Sequence, residues 1–198
     1  MTCLSRIERA LACHEPASLP PSLSGVPASV LVPLIPGPKG QCRVVFVRRR
    51  ADLAIHPGEY SFPGGHQEPG DESAQAAALR ETQEEIGHPA HRVQILGELD
   101  HTWTYTGFHI RAFVGQLLPP YAFSPQPEEL DAVVDLPLTA FADLDAWRML
   151  SFPMPASLPA GWPSLAVPEL VVEGHRIWGV TGRILRNLIT LAQAAGEP

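Results

Sequence analysis

At 198 residues and 45% hydrophobic composition, the chain is long enough for one domain with a sizeable core. Its 21 acidic residues outnumber 14 basic ones, and the net charge of −7 with histidine neutral argues against bulk nucleic-acid binding. No apolar run is long enough to span a membrane, and the N-terminus lacks the apolar core of a secretory signal, so a cytoplasmic location is expected.

Residues 4–13 read as a short amphipathic helix, with Leu4, Ile7 and Leu11 on one side. Pro16, Pro20, Pro21 and Pro27 then mark an extended linker. Together residues 1–27 form an N-terminal helix and proline-rich linker packed on a domain that spans 28–198. Cys3, Cys13 and Cys42 make an odd number with no C-x-x-C spacing, which predicts free thiols in a reducing compartment. Ala28 to Ile35 is a buried-strand candidate, Pro36 to Gly40 a turn, and Arg43 to Val47 a second strand rich in β-branched residues.

That strand runs into Arg48-Arg49-Arg50. Guanidinium forks match phosphate oxygens bidentately, and a phosphate-rich ligand would relieve the repulsion among three adjacent cations. A solvated strand end is the alternative. Strand alternation puts Arg49 opposite Arg48 and Arg50, so the three do not share one ligand. His56 reads either as a phosphate donor or as a structural loop histidine.

Phe62 to His88, FPGGHQEPGDESAQAAALRETQEEIGH, carries the strongest pattern. A glycine turn leads through a loop to a helix, with Asp71 as the expected cap and Gly87 followed by Pro89 as the stop. Helical spacing places Gln75, Leu79, Thr82 and Ile86 on a weakly apolar stripe that could face a core. Glu81, Glu84 and Glu85 fall on the other side with Ala74, Ala77 and Ala78. Glu81 neighbours both other glutamates, and each like-charge pair costs the helix roughly 0.2–0.5 kcal/mol. All three also lie at the helix end where the macrodipole disfavours negative charge. Arg80 can reach Glu84, but one cation does not offset three carboxylates. Hard divalent cations with oxygen ligands would, and the alternative is a solvated acidic face.

Val93 to Leu99 is the next strand, and Phe108 to Leu118 another with alternating pattern. Trp103, Tyr105 and Phe108 read either as core packing or as a platform for a base. Pro127-Glu128-Glu129 opens a further unit, Thr139 to Trp147 a short helix. Residues 149–168 hold five prolines and are expected to be a long loop, a lid or specificity element. Leu170 to Ile177 reads as a hairpin around Glu173-Gly174, and the chain closes on an amphipathic helix through Ala195. P-loop, G-x-S-x-G and H-E-x-x-H signatures are absent.

Arg80-Glu81-Thr82-Gln83-Glu84-Glu85-Ile86-Gly87 resembles the core of the Nudix box, G-x5-E-x7-R-E-U-x-E-E-x-G-U. Counting back from Arg80 puts His66, not Gly65, at the opening glycine, so the loop is one residue longer than the pattern. The early acid is then Glu72 by helix register or Asp71 by loop register. Thr82 and His88 stand at aliphatic positions. Arg49, Arg50, Leu53, His56, Gly58 and Phe62 to Gly65 are similar to a motif of the coenzyme A pyrophosphatase branch of the Nudix hydrolases. Ala54 departs from its arginine and Glu59 from its glutamine. The ending Ile177-Trp178-Gly179-Val180-Thr181-Gly182-Arg183-Ile184-Leu185 resembles the same branch.

The resemblance implies an α/β fold, the Nudix α/β/α sandwich with a mixed β-sheet between helices. It implies a metal-dependent diphosphate hydrolase in which Glu81, Glu84 and Glu85 hold Mg²⁺ or Mn²⁺. Glu129 or one of the box glutamates takes a proton from water. Arg49, Arg50, His56, Gly64 and Gly65 line the substrate site, and Arg80 holds Glu84. Coenzyme A is the substrate this branch implies. The alternatives are another nucleoside diphosphate-X, such as ADP-ribose or NADH, and a nucleotide-sensing domain without turnover. The expected partner is a small-molecule diphosphate, with no nucleic acid and no membrane, and a homodimer is left open.

Overall fold

The computed structural model describes residues 2–23, 25–152 and 165–196. Helix α1 (Cys3–Ala12) is capped by the Thr2 side chain, which accepts from the Ser5 amide. Strands β1 (Val26–Pro36) and β2 (Cys42–Arg49) follow, then the short β3 (Tyr60–Ser61) and β4 (Gly64–His66). Helix α2 (Ala74–Ile86) leads to β5 (Val93–Glu98), β6 (Thr102–Trp103) and β7 (Phe108–Leu117). Strands β8 (Leu130–Pro137), β9 (Arg148–Phe152), β10 (Leu165–Val172) and β11 (His175–Trp178) precede the closing helix α3 (Gly179–Ala194).

The main sheet runs in the order β3-β2-β1-β7-β5, with β4 on β1, β6 on β7 and β8 on β2. It is mixed: β1 and β7 pair in parallel from Val26↔Phe108 to Leu34↔Gln116, and the other pairings are antiparallel. Strands β9, β10 and β11 form a second, antiparallel sheet. Period-two alternation sends the two faces of the main sheet to different layers. On one face Val32, Leu34, Val44, Phe46, Ala112 and Val114 pack with Ile7 and Leu11 of α1 and with Ile184, Leu185 and Leu188 of α3. On the other face Leu31, Ile35, Val45, Phe113 and Leu117 pack with Ala74 and Ala78 of α2. The result is the expected α/β/α sandwich.

Several details differ from the sequence reading. The cap of α2 is Ser73, whose side chain accepts from the Ala76 amide at 3.1 Å. Asp71 is already engaged, accepting from the Glu68 amide and from Arg80. The buried face of α2 is the alanine face, with Thr82, Glu85 and Ile86, while Gln75 is exposed and Leu79 only half-buried. Small side chains let the helix approach the sheet closely, which a leucine stripe would not. Cys3 and Cys42 are not free thiols; they form a disulfide, and Cys13 is the exposed free cysteine. Burial of Ile7 and Leu11 against the sheet brings the two sulfurs together, a contact across 39 positions of sequence.

Pro137 to Trp147 forms two 3-10 turns, Leu138–Phe141 and Leu144–Ala146, in place of one helix. The stretch expected as a loop over 149–168 begins inside β9 and ends inside β10, and residues 153–164 lie outside the described residues. The hairpin turn at Glu173-Gly174 is present, with both φ angles positive. Among the described residues no helix is long and apolar enough to cross a membrane.

Candidate active site

Two glycines bring the sheet against the end of α2. Antiparallel pairing sets Gly64 opposite Val30 and Gly65 opposite Ser29. The Gly64 amide donates to Glu85 Oε2 at 3.1 Å. A Cβ on Gly65 would stand 2.5 Å from Glu81 Oε1, so only glycine leaves that carboxylate its place.

Arg80 organises the acids around it. Its Nε and Nη2 grip both oxygens of Asp71 at 3.0 and 3.1 Å, and Nη1 donates to Glu81 and Glu84, each at 3.0 Å. Nη2 also donates to the His66 carbonyl, which ties the helix to the long loop. Of the two early acids, Asp71 is the one drawn into this network, and Glu72 is exposed. The hydrogen bonds from Arg80 hold the Asp71 carboxyl below its ordinary value. Burial raises Glu81, against the opposing pull of Arg80.

Glu85 differs from its neighbours. It is only 8% exposed and forms no ion pair among the described residues; the Gly64 amide donates to it. Burial pushes its carboxyl up to about 8, with Glu81 and Glu129 adding repulsion and the Gly64 amide opposing. A buried acid with this shift facing a cavity is a recurring mark of a functional site.

Arg49 stands on the same side of the sheet. Its Nη1 lies 3.5 Å from Glu129 Oε2, and its Nε is buried without a hydrogen-bond partner among the described residues. The pairing of β2 with β8 shifts register between Arg48 and Arg49. Arg48 faces away, 3.7 Å from Asp131. Arg50 is not brought to the cavity. It is bound to both oxygens of Asp52 and to the Pro127 carbonyl, and its amide donates to the Glu129 carbonyl. It therefore braces the segment that carries Glu129. His56, in a positive-φ conformation, lies 3.0 Å through Nδ1 from Glu59, so that glutamate has an imidazole beside it.

Arg49, His56, Glu59, Phe62, Gly64 and Glu85 line one cavity of about 650 Å³. That volume falls in the usual range for small-molecule sites. Other walls come from distant parts of the chain: Thr104, Tyr105 and Phe108 from the β6–β7 connection, Phe152 and Val167 from the second sheet, and Trp178, Thr181 and Arg183 from the start of α3. Tyr60 fastens the two sheets, with its hydroxyl 2.7 Å from His175 Nδ1 and its carbonyl accepting from Thr181. Trp103 is core, 5% exposed, whereas Tyr105 and Phe108 reach the cavity. No local pattern marks Tyr60, Thr181 or Arg183 as residues of the site, although the last two lie within the segment from Trp178 to Arg183.

Among the described residues no three histidine, cysteine, aspartate or glutamate side chains form a ready-made cage for a metal. The donor set nonetheless suits a hard cation: Glu85 is a buried carboxylate with no ion pair among the described residues, and Glu81 stands beside it. A magnesium-type ion commonly takes one or two protein carboxylates and completes its shell with water and substrate phosphates.

The layered fold, the Arg-Glu helix end and the glycine strand against it define a Nudix-type site. The chain belongs to the Nudix family: the model of the NUDIX domain matches residues 26–160. It is similar to an uncharacterized Nudix hydrolase, NudL, of Photorhabdus laumondii, 32% identical over 166 residues that cover 84% of each chain. The NudL protein of Salmonella paratyphi B is 32% identical over 161 residues, covering 81% of this chain and 80% of the relative. Among solved structures, a Nudix hydrolase of Alicyclobacillus acidocaldarius has a TM-score of 0.49 at 18% identity, covering 86% of this chain and 95% of that one.

Proposed function

We propose that this Nudix hydrolase cleaves the diphosphate of coenzyme A or its derivatives, giving 3′,5′-ADP and 4′-phosphopantetheine or its acyl form. The carrying observation is that Arg49, His56, Gly64 and Glu85 line one cavity. Three of these, Arg49, His56 and Gly64, belong to the motif that resembles the coenzyme A pyrophosphatase branch.

In this reading Glu81, Glu84 and Glu85 hold Mg²⁺ or Mn²⁺. The ion supplies charge neutralisation at the phosphates and a more acidic water. Arg49 binds a phosphate oxygen through the Nε that has no partner within the described chain. Arg80 keeps Glu81 and Glu84 in place rather than touching substrate. Glu129 or a helix glutamate accepts the proton of the attacking water. Gly64 lines the cavity, and the absence of a side chain at Gly65 leaves Glu81 its place beside it. Largely apolar walls exclude bulk water and strengthen each of these charged contacts.

A second reading keeps the chemistry and changes the substrate to another nucleoside diphosphate-X, such as ADP-ribose or NADH. Ala54 and Glu59, the two departures from the branch motif, favour it. A sensor without turnover would have no need for all three helix glutamates. The test is kcat/KM on coenzyme A, dephospho-coenzyme A, NADH and ADP-ribose, with Mg²⁺ and with Mn²⁺. The expected result is a clear preference for coenzyme A. Preference for another diphosphate discards the substrate, and tight binding with no turnover discards the enzyme.

A further inference from the structure

We propose that Arg183 is a specificity-determining residue that binds a phosphate monoester carried by the substrate apart from the diphosphate under attack. The inference rests on the reading of the cavity as a nucleotide diphosphate site and adds to it a third anionic group.

Arg183 sits in the first turns of α3 and lines the same cavity as Glu85 and Arg49. Its surroundings differ from those of the other arginines near the site. Arg49 has Glu129 beside it, Arg50 has Asp52, and Arg80 has three acids within 3.0 Å. Among the described residues no carboxylate pairs with Arg183. Its Nη2 donates to the Trp103 carbonyl, and its Cζ lies 5.2 Å from the centre of the Trp103 ring. Its Nε is buried with no hydrogen-bond partner among the described residues. Burial alone holds the guanidinium below the ordinary arginine value.

The guanidinium is thus half-buried, with Nη2 on a carbonyl and the buried Nε without a partner among the described residues. Such a charge is costly to bury unless an anion completes it. The open side is the cavity, so the anion arrives with the ligand. A phosphate monoester suits the place better than a carboxylate. It offers three terminal oxygens, and Thr104 and Thr106 line the same cavity. Tyr105 and Phe108 add aromatic surface there, which suits a base attached to the sugar that bears the phosphate. The substrate class is thus a nucleoside diphosphate-X phosphorylated on its ribose, which for coenzyme A is the 3′-phosphate.

The test is calorimetric binding of 3′,5′-ADP and of 5′-AMP to the full chain and to Arg183→Met and Arg183→Lys. The wild-type chain should bind 3′,5′-ADP roughly ten-fold or more tighter than 5′-AMP. Arg183→Met should bring that ratio close to one while leaving 5′-AMP affinity unchanged. Equal affinities in the wild type, or a ratio kept in Arg183→Met, overturn the proposal. Should Arg183→Met not fold, Arg183→Lys decides. Loss of the guanidinium fork should then cut the ratio about three-fold or more, and an unchanged ratio overturns the proposal. A wild-type ratio that depends on Arg183, together with no turnover of coenzyme A, would remove the proposed hydrolase and leave this subsite standing.

Discussion

A methyl group on Gly65 would stand 2.5 Å from Glu81 Oε1. The strand and the helix end are thus packed to the limit that glycine allows, and the limit falls on a carboxylate of the site. Gly65→Ala should displace Glu81 and lower kcat by roughly 10-fold to 100-fold with little loss of thermal stability, since the obstructing atoms end a flexible side chain. Gly64→Ala meets backbone instead, with Ser29 O at 2.3 Å, and should cost folding stability directly. Equal melting temperatures for the two variants would contradict this division.

Glu85 supplies a pH dependence of known sign. Its carboxyl rises from an ordinary 4.5 to about 8 on folding. The folded chain keeps a proton that the unfolded chain releases between those values. The stability this contributes is full below about 4.5 and is lost as pH rises through 8. It amounts to a few kcal/mol at about 1.4 kcal/mol per unit. Melting curves in chelator from pH 5 to 9 should therefore fall more steeply for wild type than for Glu85→Gln. Adding Mn²⁺ at pH 8 should raise the wild-type Tm and leave Glu85→Gln unmoved. Parallel curves for the two proteins would remove Glu85 from this role. Turnover by Glu85→Gln should drop by about 100-fold or more.

Arg80 is joined to Asp71, Glu81, Glu84 and the His66 carbonyl, and on the proposed function it positions those acids. A lysine keeps the charge and loses the planar fork. Arg80→Lys should lower kcat by roughly 10-fold while KM stays within about two-fold. A rise in KM with kcat intact would mean that Arg80 touches substrate.

Arg49 lines the cavity and Arg50 does not, so the proposed function gives the two neighbours different roles. Arg49→Ala should raise KM on every diphosphate tested, by about 10-fold. Arg50 is held by Asp52 and the Pro127 carbonyl, away from the cavity. Arg50→Ala should therefore affect coenzyme A and dephospho-coenzyme A alike, through the segment bearing Glu129. A selective loss on coenzyme A would return Arg50 to the role the strand-end sequence first offered.

The disulfide is open to a thiol count. Without reductant, the denatured chain should show one reactive thiol, Cys13, and three after reduction. Reduction should cost roughly 2–4 kcal/mol, as expected for a loop of this length. Three reactive thiols without reductant would exclude the Cys3–Cys42 link.

Features that depend on neighbours a few residues apart are legible in the sequence. Helix α2 ends where Gly87 adopts φ 70°, the hairpin turns at Glu173-Gly174, and the Arg80–Glu84 contact follows from a spacing of four. Strand alternation likewise separated Arg49 from Arg48. Which acids are buried, and what meets them, depends on packing between distant segments. The alanine face of α2 packs on the sheet because small side chains allow close approach, and that choice buries Glu85 and not Glu84. Asp71 lost the cap to Ser73 because Arg80, nine residues away, holds it. Arg183 reaches the cavity only because α3, from the far end of the chain, packs against the sheet that carries Arg49. Such contacts form between segments with no local signal for each other. Whether a charge ends in water or in a wall is settled by the packing of both.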